Sequence, residues 1–164
     1  MAANIILGWR EWLALPALGI AAVRSKVDTG ARSSSLHVDA QWRFSEGGQP
    51  WAGFRISTGR TVRTLDGVAA AQVIEARAPV FDEREVTDSS GNRSRRVFLR
   101  TPLHLAGVER EIEINLTDRR GMLFPLLLGR SAIAGAFTVD PARSFIHGRA
   151  RRPPAAALTD TPSP

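Results

Sequence analysis

With 164 residues, 43% hydrophobic and 23% charged, the chain has the size and balance of one domain that buries its own core. No apolar run reaches the roughly 18–20 residues of a membrane span. Met1 to Leu7 lacks the charged start and full apolar stretch of a signal peptide, so the cytoplasm is the expected compartment. The absence of cysteine excludes disulfides, thiol nucleophiles and cysteine-bound zinc. A net charge of +6, carried by 21 arginines and the single lysine Lys26, suits anionic partners without naming one.

Gly8 to Leu13 precedes Pro16 and Gly19, a turn signal, and Ile20 to Val27 then runs into Asp28-Thr29-Gly30. Leu36 to Phe44 alternates apolar and polar residues, the period of one half-buried strand. Glu46 to Pro50 is a turn, Trp51 to Ile56 resumes the strand pattern, and Gln72 to Val80 is a short strand interrupted by Pro79. Val80 to Val86 and Arg95 to Arg100 are arms around the polar tip Asp88 to Asn92, where Gly91-Asn92 suits a hairpin. Leu103 to Leu105, Gly107 and Glu111 to Leu116 spell a further hairpin. Only Arg130 to Ala136, after the apolar run Met122 to Leu128, reads as a brief helix. Short strands separated by frequent turn signals predict an all-β sandwich or closed barrel. The domain occupies residues 1–148, and the basic, proline-rich segment 149–164 reads as a disordered tail. Trp9, Trp12, Trp42 and Trp51 lie in or beside alternating strands and are expected to pack in the core.

The chemistry concentrates at Val27-Asp28-Thr29-Gly30-Ala31-Arg32, an apolar strand end delivering an acid into a tight turn and followed by Ser33-Ser34-Ser35. Far along the chain comes Leu126-Leu127-Leu128-Gly129-Arg130, opening the brief helix, and the Gly91 hairpin lies between them. This order resembles the retropepsin-like aspartic proteases: catalytic turn, flap hairpin, then an apolar-apolar-Gly-Arg segment under the active site. Gly8-Trp9-Arg10-Glu11-Trp12, Lys26 to Arg32, Leu116-Thr117-Asp118-Arg119, Leu127 to Arg130 and Val139-Asp140-Pro141 are similar to one bacterial branch. Its members carry the label ATP-dependent zinc protease and include the RimB proteins associated with the RimK glutamate ligase. The sequence itself writes neither cofactor. It has no Gly-x-x-x-x-Gly-Lys-Ser/Thr loop and no His-Glu-x-x-His, and His37, His104 and His147 are dispersed. No cofactor and no metal site are expected.

The resemblance implies an all-β, retropepsin-like closed barrel with one short helix, working as a homodimer because each chain supplies one Asp28. Asp28, Thr29 and Gly30 would form the catalytic turn. Asp28 acts on water, Thr29 hydrogen-bonds across the dimer axis, and Gly30 permits close approach and unusual dihedrals. Asn4 to Leu7, Phe137 to Asp140 and Ser144 to Ile146 are the candidate dimerisation strands. Leu127 and Leu128 would pack beneath the turn, with Ser89, Ser90 and Gly91 as the flap tip. Viral relatives carry Asp where this chain has Arg32, so Arg130 needs another partner and a cation is added to the cleft. Lys26, Ala31, Arg32, Arg93 and Arg130, with the flap residues, form the expected substrate surface, which suits an acidic peptide. The resemblance implies oligoglutamate trimming from the tail of a small-subunit ribosomal protein. The competing reading is a non-catalytic basic β-barrel that binds RNA or an acidic protein; under the peptidase reading neither nucleic acid nor membrane is a partner.

Overall fold

A computed structural model describes residues 3–58, 62–64, 67–69, 72–118 and 124–148. In chain order the strands are β1 (Ile5–Leu7), β2 (Arg10–Leu15), β3 (Ile20–Asp28), β4 (Ser34–Val38), β5 (Ala40–Glu46), β6 (Gln49–Thr58), β7 (Val62–Thr64), β8 (Gly67–Ala69), β9 (Gln72–Pro79), β10 (Asp82–Thr87), β11 (Arg93–Leu105), β12 (Val108–Asp118), β13 (Leu126–Gly129) and β14 (Phe137–Val139). A 3-10 turn at Pro16–Leu18 and one α-helix, α1 (Arg130–Ile133), complete the described elements. Arg119, Met122 and the segment 149–164 read as a tail lie outside the described residues.

The main sheet runs β10-β11-β12-β4-β13-β3-β2, and pairing of His104 in β11 with Ala14 in β2 closes six of these strands into a barrel. Closure follows from alternation. Val23 and Val27 of β3, Leu36 of β4, Leu99 and Leu103 of β11, Ile112, Ile114 and Leu116 of β12 and Leu126 and Leu128 of β13 all turn inward and are buried. Two parallel pairings sit inside this otherwise antiparallel wall: β13 beside β3 and β12 beside β4. They bring the two ends of the motif order together, since Gly129 lies opposite Asp28.

Turn chemistry matches the sequence at the tight hairpins. Gly47 and Gly48 (φ 58° and 77°) join β5 to β6, and Ala106 and Gly107 (φ 53° and 79°) join β11 to β12. Both linkers have the positive φ pair that two-residue hairpins favour. The helix is shorter than the pattern predicts: it ends at Ile133, and Gly135 at φ 84° turns the chain into β14.

Leu36 to Phe44 is not one strand. β4 is buried along its whole length in the barrel, whereas β5 belongs to a separate sheet ordered β5-β6-β9. The break falls at Asp39, whose N–H donates to the Arg55 carbonyl (2.7 Å) and whose carboxylate accepts from Ser57 Oγ (2.6 Å). The tryptophan expectation also fails: none of the four is in the buried core. Trp9 stands edge-on to Phe124 and Trp12 tilts against Phe145. Trp42 is exposed, and Trp51 stacks at a tilt on Phe44 with the Arg77 guanidinium above its ring.

The candidate terminal strands pair with each other within the chain. β1 runs parallel to β14, with Ile5 opposite Phe137 and Leu7 opposite Val139. Glu11 ties this region together. Fully buried, its carboxylate accepts the N–H groups of Gly8 (2.7 Å), Ile146 (3.3 Å) and His147 (3.5 Å). Among the described residues no helix is long and apolar enough to cross a membrane.

Candidate active site

Asp28 is the last residue of β3, and alternation sets it opposite in direction to buried Val27, on the same face as Lys26. Its Oδ1 accepts the Gly30 N–H at 2.9 Å, which fixes the carboxylate against its own turn. Gly30 departs from expectation: its φ lies outside the left-handed region. An added Cβ there would meet Asp28 Oδ1 at 3.2 Å and, its chain neighbours aside, no other described atom within 4 Å. Close approach to the acid is therefore real, but no special dihedral is.

The rest of the turn is bolted to the segment Gly129–Ser131. Arg130 N–H donates to the Ala31 carbonyl (2.7 Å), while Ser131 N–H and Oγ donate to the Arg32 carbonyl (3.1 and 2.9 Å). Gly129 N–H donates to buried Ser34 Oγ (2.9 Å). Arg130 Nη1 reaches the Thr29 carbonyl (3.3 Å), a backbone partner in place of the missing carboxylate at position 32. Glycine at 129 is obligatory by space: a Cβ would sit 2.9 Å from Ser34 N and closer still to the Ser33 carbonyl group. Leu128, fully buried beside Val27, floors the turn, and half-buried Leu127 flanks it opposite Lys26.

Sequence expectations for the surrounding surface divide. Thr29, Gly30, Arg32 and Lys26 are exposed, Ala31 is half-buried, and neither Lys26 nor Arg32 forms a salt bridge among the described residues. At the β10–β11 tip, Asp88 Oδ1 accepts the N–H groups of Ser90 and Asn92 (both 2.9 Å), and Gly91 takes φ 83°. Ser89, Ser90 and Gly91 thus form an ordered, exposed turn. Arg93 is highly exposed and pairs with Glu85 at 3.6 Å, so its charge is already answered.

Two features were missed by sequence reasoning. Asn115, fully buried on β12, donates Nδ2 to the Ser34 carbonyl (3.0 Å) and accepts from Arg96 Nη1 (3.1 Å). The apolar alternation of Glu111 to Leu116 marked Asn115 only as an outward residue. The buried role of Glu11 had no sequence signal beyond its place in Gly-Trp-Arg-Glu-Trp. The three histidines lie apart: His37 Nδ1 is near the Pro125 carbonyl, His104 near Glu109, and His147 Nε2 near the Ile6 carbonyl.

Comparison with known proteins gives this geometry a lineage. A "Probable alpha-L-glutamate ligase" of Shewanella pealeana is 34% identical over 88% of the chain, and one of Desulfotalea psychrophila is 37% identical over 85%. The chain spans only about 30% of the length of these curated relatives. A crystal structure of a Legionella pneumophila protein of unknown function superposes with a TM-score of 0.68 at 28% identity, covering 88% of this chain and 98% of that one. A family model described as RimB-like, retropepsin-like aspartic endopeptidase RimB, matches residues 6–150. The chain belongs to this RimB-like family of retropepsin-like aspartic endopeptidases.

Proposed function

We propose that the chain is an aspartic peptidase whose active site is completed by a second copy of itself, and that it trims glutamate-rich tails in the cytoplasm. The observation that carries the reading is Asp28 at a strand end, held by the Gly30 amide and backed by Gly129 from the parallel neighbour. One chain carries one such acid. Two Asp28 carboxylates facing each other across a two-fold axis would share a proton, as aspartic-protease dyads do. The ionised member removes a proton from a water held between them, and the resulting hydroxide attacks the peptide carbonyl carbon. The protonated member gives its proton to the carbonyl oxygen. Collapse of the tetrahedral intermediate breaks the C–N bond as the nitrogen takes up a proton. Thr29, exposed beside the acid, is suited to meet its twin across the axis, and the Asp88–Asn92 turn to close over the peptide.

Lys26 and Arg32, which form no salt bridge among the described residues, favour an acidic substrate for Asp28. The glutamate-ligase name of the longer relatives is consistent with a substrate made of added glutamates, such as a ribosomal-protein tail. That name describes proteins about three times as long, and we assign the matched part to hydrolysis. The test is purified protein with a peptide ending in several glutamates, read by mass spectrometry beside Asp28→Asn, with light scattering for the oligomer. Cleavage by the wild type, none by Asp28→Asn, and a dimer in both are expected. Full activity in Asp28→Asn would end the proposal. Salt-sensitive RNA binding without cleavage would transfer the case to the binding-module reading.

A further inference from the structure

The barrel's register assembles a polar row beside the acid. Lys26 lies opposite Leu127, Leu127 opposite Ser35, Ser35 opposite Asn115, and Asn115 opposite Phe98. Ladder partners share a face, so this row lies on the outer face with Asp28, away from the core. Yet Ser35, Asn115 and Phe98 are buried. Two arginines paired in register on the β10–β11 hairpin, Arg84 and Arg96, help to cover them.

The two differ in electrostatic completeness. Arg84 lies over the Phe98 ring, with Nε bonded to Asp82 (2.6 Å) and Nη1 to Glu113 (2.9 Å), so its charge is answered by two carboxylates. Among the described residues Arg96 is held by neutral acceptors: Ser94 Oγ to Nε (3.0 Å), and Asn115 Oδ1 (3.1 Å) and, more weakly, Ser35 Oγ (3.5 Å) to Nη1. Among the described residues it forms no salt bridge. Burial disfavours its charged form and lowers its pKa, an effect that Asp88 at the hairpin tip offsets only in part through space. Its neighbours contrast with it: Arg93 and Arg95 are largely exposed and paired with Glu85 and Glu83. The donation from Asn115 Nδ2 to the Ser34 carbonyl orients the amide so that Oδ1 faces the guanidinium.

A half-buried guanidinium with its stem fixed and no carboxylate bonded to it among the described residues is an incomplete carboxylate site. Strand spacing sets Ser35 roughly 12 Å from Asp28, two strands across and two residues along. An extended peptide covers that distance in about two or three residues once the reach of a glutamate side chain is added. We infer that Arg96 is the specificity-determining residue of the cleft, receiving a substrate glutamate side chain two or three residues from the scissile bond. Asn115 and Ser35 are its positioning residues. This inference rests on the peptidase reading and assigns its acid preference to one residue rather than to the cationic rim at large.

The experiment measures kcat/KM on glutamate-tailed peptides in which each Glu is replaced singly by Gln, with a carboxyl-terminal amide to separate end-group recognition. Wild type should prefer Glu at one position by about 10–100-fold, the range of a charge-assisted bidentate contact. Arg96→Met should bring that ratio to about one at that position, while Arg96→Lys retains part of it. Arg96→Glu, a second route if the Met variant unfolds, should invert the preference toward Lys there. A folded Arg96→Met enzyme that still prefers Glu like the wild type overturns the anchor and leaves the peptidase intact, provided Asp28→Asn is dead. Preference confined to the free terminal carboxylate also overturns it. Failure of the wild type to cleave any of these peptides removes both readings.

Discussion

Gly129→Ala tests whether backbone contact, rather than side-chain chemistry, holds the Asp28 turn. The new methyl would lie 2.9 Å from Ser34 N and nearer to the Ser33 carbonyl, all backbone atoms that cannot rotate away. Relief requires the 33–34 and 129–131 segments to separate by several tenths of an ångström or more. Overpacking of this kind costs about 1–3 kcal/mol. Separation also strains Gly129 N–H to Ser34 Oγ (2.9 Å) and Arg130 N–H to Ala31 O (2.7 Å), each worth about 1 kcal/mol. A loss of about 3–4 kcal/mol is expected, a large share of the roughly 5–15 kcal/mol typical of a domain. At about 2–4 °C per kcal/mol, the melting temperature should fall by about 10 °C. Gly30→Ala is the control, since its methyl meets only Asp28 Oδ1 at 3.2 Å in a backbone region open to alanine, and it should cost less than about 1 kcal/mol. Urea unfolding of both variants decides the matter. If Gly129→Ala loses under about 1 kcal/mol, or Gly30→Ala loses more than Gly129→Ala, the close-approach argument is wrong.

Ser34→Ala removes the hydroxyl that accepts Gly129 N–H and should cost about 1 kcal/mol in urea unfolding without altering the oligomer. Glu11→Ala strands the Gly8, Ile146 and His147 amides; a loss of about 3 kcal/mol is expected. Faster hydrogen exchange should appear at Ile146 and His147, and Glu11→Gln should recover part of the stability by keeping an acceptor. Unchanged exchange at those amides in Glu11→Ala would refute the tie.

The acid turn was legible because it is written in residue identity: Asp28-Thr29-Gly30 and Leu127-Leu128-Gly129-Arg130 need no long-range information to be seen. Their meeting is a matter of parallel pairing between β3 and β13, which periodicity cannot reveal. The division of Leu36 to Phe44 was invisible for a related reason. Period-two alternation continues through Asp39 although the chain leaves one sheet for another there. Alternation also separates two faces without saying which is inside, so Trp42 and Trp51 on the open face of the β5-β6-β9 sheet read like core residues. The residues around Glu11 carry no local signal of burial. It is buried because amides from Gly8 and from the distant Ile146–His147 segment converge on it.

The same two-face logic divides the work of the barrel wall. Val23, Val27, Leu36, Ile114, Leu116, Leu126 and Leu128 fill the interior, and changing any of them disturbs packing before it touches chemistry. Lys26, Asp28, Leu127, Ser35 and Asn115 alternate with them and share the other face. Substitutions in that second set alter charge and hydrogen bonding beside the acid while leaving the hydrophobic core filled. The exceptions are the groups that hold backbone to backbone, Gly129 and Ser34, where position in the fold and presentation of Asp28 are one and the same constraint. Exposed Lys26 can therefore change at modest cost in stability, whereas buried Ser35 and Asn115, with the backbone and guanidinium bonds they hold, and the turn with its Gly129 backing admit little change if Asp28 is to stay in place.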